Sequence, residues 1–259
     1  VESVGSQVTT LQPGDEVFGW CGGSFAEYAS VPEDQLLPKP ANLTLEQAAA
    51  VPISGFTPLQ GVRDRGRVRA GRHVLVTGAS GGVGTYAVQI AKAYGAEVTA
   101  VCSAAKADLV RSIGADHVID YATADFASGR TRYDVLLDIY GYPSLSRCRR
   151  AVKPGGTITF IGGTGGRWFM GVDRWLRALL VAPFLRRKVR PLVHKDRRED
   201  LATLADLIES GKVTPVIDRT SPLADVAEAI KYVQDGRARG QVVIAIDNPA
   251  TRRGDAAAG

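Results

Sequence analysis

Between His73 and Ile161, short unbroken apolar runs alternate with stretches in which apolar residues recur every three or four positions. His73-Val74-Leu75-Val76-Thr77 has no polar alternation, which predicts a strand buried on both faces. Val83, Tyr86, Ala87, Ile90, Ala91 and Tyr94 then share one face of a helix, and Gly95 ends it. The pattern repeats: a strand at 97–102, a helix at 106–113 stopped by Gly114, strands at 116–119 and 133–139, a helix at 144–152 and a strand at 157–161. Strands and helices in this rhythm specify βαβ units, so an α/β fold with a doubly wound parallel sheet is expected.

The flanks read differently. Residues 1–40 hold turn signals, Pro13-Gly14-Asp15 and Gly22-Gly23, around a strand at 16–20 and a loosely alternating stretch at 25–31. Thr44-Leu45-Glu46-Gln47 has the form of a capping box opening a helix, and a second helix is predicted over 56–63. After Gly165 the pattern gives a helix at 200–210 with Leu201, Leu204, Ala205 and Ile208 on one face. An extended stretch at 213–218, a helix at 225–235 and a strand at 241–246 follow. The small, polar end, residues 248–259, is expected to be disordered.

The 259 residues are 45% hydrophobic and 23% charged, ordinary usage for a globular chain. Net charge is +5, but residues 167–190 alone carry seven basic residues and one acid, Asp173. The rest of the chain is therefore near neutral, and a nucleic-acid-binding field is not indicated. That basic segment also holds Trp168, Phe169 and Trp175. A helix that packs over a cleft or a subunit contact is the preferred reading, and a membrane-surface helix the alternative. The longest apolar run, 178–185, is short and broken by Pro183, and no signal-like segment opens the chain. Cys21, Cys102 and Cys148 are far apart and form no paired motif, which fits a cytoplasmic, reducing location and excludes a disulfide framework.

The chemistry concentrates in Gly78-Ala79-Ser80-Gly81-Gly82-Val83-Gly84, directly after a strand and at the opening of a helix. Small residues there let backbone approach a pyrophosphate, and the helix N-terminus offers free N–H groups to its charge. A Rossmann-type dinucleotide site is expected. NAD-binding sites place an acid about 20 residues further on to hold the ribose hydroxyls. Here the second strand ends in Ser103 and Lys106 instead, a hydroxyl and a cation that match a 2′-phosphate, so NADP(H) is favoured. A solvated lysine is the plainer reading of Lys106.

Thr77-Gly78-x-x-x-Gly82-x-Gly84 also fits the short-chain dehydrogenase pattern, but those enzymes need a tyrosine followed four residues later by lysine. None of the eight tyrosines has that lysine. The chain instead resembles the medium-chain dehydrogenase/reductase superfamily, in its zinc-independent quinone oxidoreductase branch. Besides the glycine turn, the resemblance rests on residues 11–17 (Leu-Gln-Pro-Gly-Asp-Glu-Val), 23–28 (Gly-Ser-Phe-Ala-Glu-Tyr), Gly55-Phe56-Thr57, 114–121 (Gly-Ala-Asp-His-Val-Ile-Asp-Tyr) and Lys153-Pro154-Gly155-Gly156.

The resemblance implies a GroES-like β-barrel domain from residues 1–45 and 190–247, partial here, around a Rossmann domain at 46–189. It implies that Ser103, Lys106 and Tyr121 hold the 2′-phosphate region. It places Thr57, Ile139, Gly141, Ile161, Gly162 and Gly163 near the nicotinamide. It further implies a homodimer and hydride transfer from NADPH to a quinone or an α,β-unsaturated carbonyl, with no general acid assigned. Val1 falls within what would be a barrel strand, so N-terminal strands of the family are expected to be missing. A non-catalytic NADPH-binding protein is therefore the rival reading, and an alcohol dehydrogenase a third. A second departure is Gln241, where relatives often carry lysine. His73, His117 and His194 lack ligand spacing and no cysteine set accompanies them, so no metal is expected.

Overall fold

The computed structural model describes residues 1–141, 143–161 and 187–246. The chain opens with β1 (Val17–Gly19) and β2 (Leu36–Pro38), which pair antiparallel. Two helices follow, α1 (Leu45–Ala49) and α2 (Pro52–Gln60). The capping box at Thr44 is formed: the Thr44 hydroxyl accepts from the Gln47 N–H while the Gln47 side chain accepts from the Thr44 N–H. α2 starts earlier than the apolar spacing predicts because Pro52 suits the first helical position, where no N–H is needed.

The expected parallel sheet is present, built of β3 (His73–Thr77), β4 (Glu97–Cys102), β5 (His117–Asp120), β6 (Tyr133–Asp138), β7 (Val152–Phe160) and β8 (Lys188–Val189). Its order is β5-β4-β3-β6-β7-β8, and every neighbouring pair is parallel. Helices α3 (Gly82–Ala93), α4 (Ala107–Ser112) and α5 (Leu145–Ala151) make the crossovers. Because the winding runs outward from β3 in both directions, a crevice opens at the carboxyl ends of β3 and β6, the position where such sheets bind ligands.

The C-terminal part forms α6 (Arg198–Glu209), β9 (Ile217–Pro222), α7 (Val226–Gln234) and β10 (Gln241–Ala245). β9 and β10 pair in parallel as a separate small sheet. The extended stretch expected at 213–218 thus begins its strand only at Ile217, because pairing with β10, a non-local event, sets the register. No strand forms at 25–31; Phe25 and Tyr28 are exposed there and no neighbouring strand supplies a ladder. The segments expected to form the barrel therefore appear as two two-stranded sheets among the described residues. Of the basic segment at 167–190, residues 167–186 lie outside the described residues, as does the tail at 248–259.

One core joins these parts. Phe56 and Leu59 of α2 are buried with Tyr86 and Ile90 of α3 and with Leu201, Leu204 and Ile208 of α6. Each such side chain stabilises the fold by roughly 1.5–3 kcal/mol. Gly55 lets α2 and α6 close, since a β-carbon on it would stand 2.7 Å from Leu204 Cδ1. The Tyr86 hydroxyl donates to the Ala50 carbonyl at 3.1 Å, and burial pushes its pKa up, so it stays a neutral donor. Among the described residues no helix is long and apolar enough to cross a membrane.

Candidate functional site

β3 ends at Thr77, and the chain turns at Gly78 with φ of +69°. That left-handed conformation suits glycine, and a β-carbon there would also stand 3.1 Å from Tyr140 Cβ. Gly84 packs back on the turn: a β-carbon on it would strike the Gly78 carbonyl oxygen and lie 2.7 Å from the Ala79 carbonyl carbon. Gly81 differs. The nearest atom to its missing β-carbon is the Gly78 oxygen at 3.7 Å, which leaves room for a ligand to approach the backbone. Ser80 is buried inside the turn, while Gly82 and Val83 are half-buried.

Gly81 caps α3 without a side chain, and the first turn contains no acidic residue. The leading N–H groups of this 12-residue helix thus have no side-chain acceptor, and the positive end of its dipole is uncompensated. An anion is the group that would satisfy both.

A buried carboxylate organises the other side of the crevice. Asp138 closes β6, and its Oδ1 accepts from Thr77 Oγ1 at 2.6 Å and from the Gly141 N–H at 3.2 Å. Its carbonyl accepts from the Ile161 N–H at 2.9 Å. Asp138 therefore ties together the ends of β3, β6 and β7, and with them Ile139, Gly141 and Ile161. Its one mark in the sequence is that an acid ends the apolar run Val135-Leu136-Leu137. Thr57 is buried on α2, where its hydroxyl donates to the Ile53 carbonyl at 3.4 Å. α2 runs on into a wider-wound turn at Gly61–Gly66, and Gly61 faces Ile161, whose Cδ1 would stand 2.9 Å from a β-carbon on it. Gly162 and Gly163 lie outside the described residues.

At the far end, Ser103, Lys106 and Tyr121 gather around the end of β4. The Tyr121 N–H donates to the Cys102 carbonyl at 3.2 Å, and the residue is 62% exposed. Lys106 is no simple solvated lysine. Its Nζ donates to the carbonyls of Ala238 at 2.8 Å and Gly236 at 3.2 Å. Burial, and then the charge of Arg239, hold its pKa below the ordinary lysine range. Arg239 was not legible as a neighbour of Lys106, because only the tertiary fold brings the 236–240 loop to β4.

An apolar cleft of about 580 Å³ lies between the β1 end, the α1–α2 junction, α7 and β10, lined by Trp20, Phe25, Ile53, Ile230, Val243 and Gln241 among others; no residue of the glycine turn lines it, and neither do Thr57, Ile139, Gly141 or Ile161. That volume lies within the range of small-molecule sites. Among the described residues no group of three or more His, Cys, Asp or Glu side chains could hold a metal ion. His73 and His117 both face Glu97, at 3.4 and 2.8 Å, at the amino ends of the strands and so away from the turn. His194 stands 3.5 Å from Asp196.

Comparison with known proteins agrees with the fold. Residues 113–244 match the family described as zinc-binding dehydrogenase. The chain is 35% identical over 258 residues to a 2-methylene-furan-3-one reductase of Solanum lycopersicum, covering 94% of this chain and 61% of the relative. It is 34% identical to a chloroplastic NADPH-dependent alkenal/one oxidoreductase of Arabidopsis thaliana, with 94% and 61% covered. It thus spans about three fifths of the length of these relatives. Among solved structures, the quinone oxidoreductase of Coxiella burnetii superposes with a TM-score of 0.82 at 28% identity, over 93% of this chain and 75% of that one. On the family match over half of the chain and on these relatives, the chain belongs to the zinc-binding dehydrogenase family, within the quinone oxidoreductase-like branch of the medium-chain dehydrogenase/reductase superfamily.

Proposed function

We propose that this chain is an NADPH-dependent oxidoreductase that delivers hydride to a quinone or an α,β-unsaturated carbonyl. The observation that carries the reading is the turn at the sheet's switch point: open space above Gly81, tight packing at Gly84 and an uncapped α3. A bound nicotinamide would supply the hydride. The chain's own work is to bind and orient. The α3 terminus would hold the pyrophosphate, and the Asp138-braced strand ends would support the nicotinamide face. Names of relatives support the acceptor class, one being an alkenal/one oxidoreductase and one solved neighbour a quinone oxidoreductase.

The preference for NADPH over NADH rests on Ser103 and Lys106, with no acid at the end of β4. Lys106→Ala should weaken NADPH binding about tenfold or more, the size of a lost charge-assisted hydrogen bond. NADH binding should change little; equal weakening of both would overturn the assignment. A homodimer in a cytoplasmic location is part of the same proposal.

The activity test is calorimetric binding of NADPH followed, in the same sample, by NADPH oxidation with phenanthrenequinone. Binding with turnover is the expected result. Binding without turnover of a quinone or of a simple enone would leave the dinucleotide site standing and remove the oxidoreductase reading.

A further inference from the structure

Arg132, Arg149 and Arg187 come from three separate segments and meet at the amino end of the parallel sheet. β6 opens at Tyr133, which stands opposite Val152 of β7, so Arg132 enters the sheet beside Val152. Arg149 lies in the last turn of α5, whose C-cap is the same Val152. Arg187 directly precedes β8, and its Nε donates to the Val152 carbonyl at 3.0 Å. Three cations thus converge on one residue.

Their charge is not balanced locally. Among the described residues none of the three has a carboxylate partner. The acids of the neighbouring segments are engaged elsewhere. Asp134 holds Arg72 and Lys153, each at 3.0 Å, and Asp125 holds Arg147 at 2.7 Å. Burial, and then the charges of Arg149 and Arg132, hold the Arg187 pKa below the ordinary arginine range, with no acid to counter them. The carboxyl end of α5 offers about half a negative charge. Against three cations that is too little.

Hydrogen-bond donors are left over as well. Arg187 spends its Nε on Val152, and Arg132 spends one Nη on the carbonyls of Gly129 and Thr131. Arg149 is exposed and spends none among the described residues. A guanidinium carries its N–H donors in a planar fork that matches two oxygens of one phosphate. A single phosphate-type anion would supply both the missing charge and the acceptor oxygens.

This place is separate from the glycine turn. β6 runs from Tyr133 to Asp138, and at about 3.3 Å per residue roughly 17 Å of strand lies between this end and the crevice.

We propose that Arg132, Arg149 and Arg187 form a second anion site, one for a phosphate monoester or pyrophosphate group, at the end of the sheet opposite the glycine turn. The site stands independently of the dinucleotide reading.

The probe is inorganic pyrophosphate, titrated calorimetrically into the full chain with ionic strength held constant by sodium chloride. The glycine turn would also take a pyrophosphate, so the titration is made in Gly81→Ala, whose new β-carbon stands in the open space over that turn. Pyrophosphate should bind this chain. Adding Arg149→Gln should weaken it about tenfold, the size of one charge-assisted hydrogen bond, and leave Tm unchanged. Arg149→Lys keeps the charge without the fork and should fall between. The proposal is overturned if the chain with Gly81→Ala does not bind pyrophosphate, or binds it equally with and without Arg149→Gln. Arg149→Gln alone should bind NADPH as the wild type does; a parallel loss of NADPH reports a disturbed fold and also overturns the site. A chain that binds pyrophosphate here but not NADPH would sink the dinucleotide reading and leave this site standing. Flotation with vesicles of phosphatidylcholine and phosphatidic acid, in about a 4:1 ratio, names the source of the phosphate. Co-flotation that Arg149→Gln removes assigns a lipid headgroup, and pyrophosphate binding without co-flotation assigns a free oxyanion; both support the site.

Discussion

Gly84→Ala is expected to lower stability by on the order of 3 kcal/mol and to abolish NADPH binding. The new methyl would meet only backbone: the Gly78 carbonyl oxygen and, at 2.7 and 2.8 Å, the Ala79 carbonyl carbon and Cα. Backbone cannot rotate aside as a long side chain can, so the turn must open or α3 must shift away from β3. Either movement displaces the N–H groups that would face a phosphate. Gly81→Ala is the informative companion, because its β-carbon would meet nothing closer than 3.7 Å. It should fold normally and still lose NADPH. Thermal unfolding and calorimetry on both variants decide the matter. A Gly84→Ala chain that melts and binds like the wild type would contradict the close packing of turn and helix.

The second large effect is expected at Asp200, away from the site. Asp200 is 2% exposed near the start of α6, with Oδ2 accepting from Gln60 Nε2 at 2.7 Å and Oδ1 paired with Arg63 Nη2 at 2.7 Å. Gln60 in turn donates to the Lys195 carbonyl at 2.6 Å and accepts from the Lys195 N–H at 3.1 Å. This polar network clamps α2 to the approach of α6. Asp200→Ala would leave the Arg63 charge without its buried partner and remove an acceptor from Gln60. Breaking a fully buried pair costs about 3–5 kcal/mol. Arg63 keeps Asp64 at 2.7 Å and is 29% exposed, so a loss of about 2–3 kcal/mol is expected. For a chain of this size that is a fall in Tm of about 5–10 °C. Asp200→Asn keeps one acceptor and should fall between the two. An unchanged Tm for Asp200→Ala would show that the clamp contributes nothing.

The two sites differ in how far the sequence reveals them. Glycines at 78, 81 and 84 stand between an unalternating apolar run and a helical stripe, so local order alone marks the phosphate turn. Ser103 and Lys106 follow from the same logic, since the end of the second strand has a definite place in a βαβ unit. Asp200 and Gln60 carry no such mark: an acid near a helix start and a glutamine on a helix look like solvated residues until the helices pack. Asp138 was half legible, as an acid at the end of a buried strand whose partners, Thr77 and Gly141, come from other segments.

By itself the sequence determined the parallel sheet, its crossovers and the glycine turn, because each is written in near-neighbour order: short unbroken apolar runs, apolar spacing of three to four, and glycines where the strand gives way to the helix; the superfamily showed in the resemblance of its motifs. The tertiary structure decided which distant residues meet. It started the strand after α6 at Ile217, because β10 supplies its ladder. It left 25–31 without a strand and brought Arg239 beside Lys106. It also laid the Gln241 amide on Gly82. The physical reason is that hydrogen-bond ladders and polar contacts between distant segments depend on the docking of whole elements, and local periodicity carries no term for that.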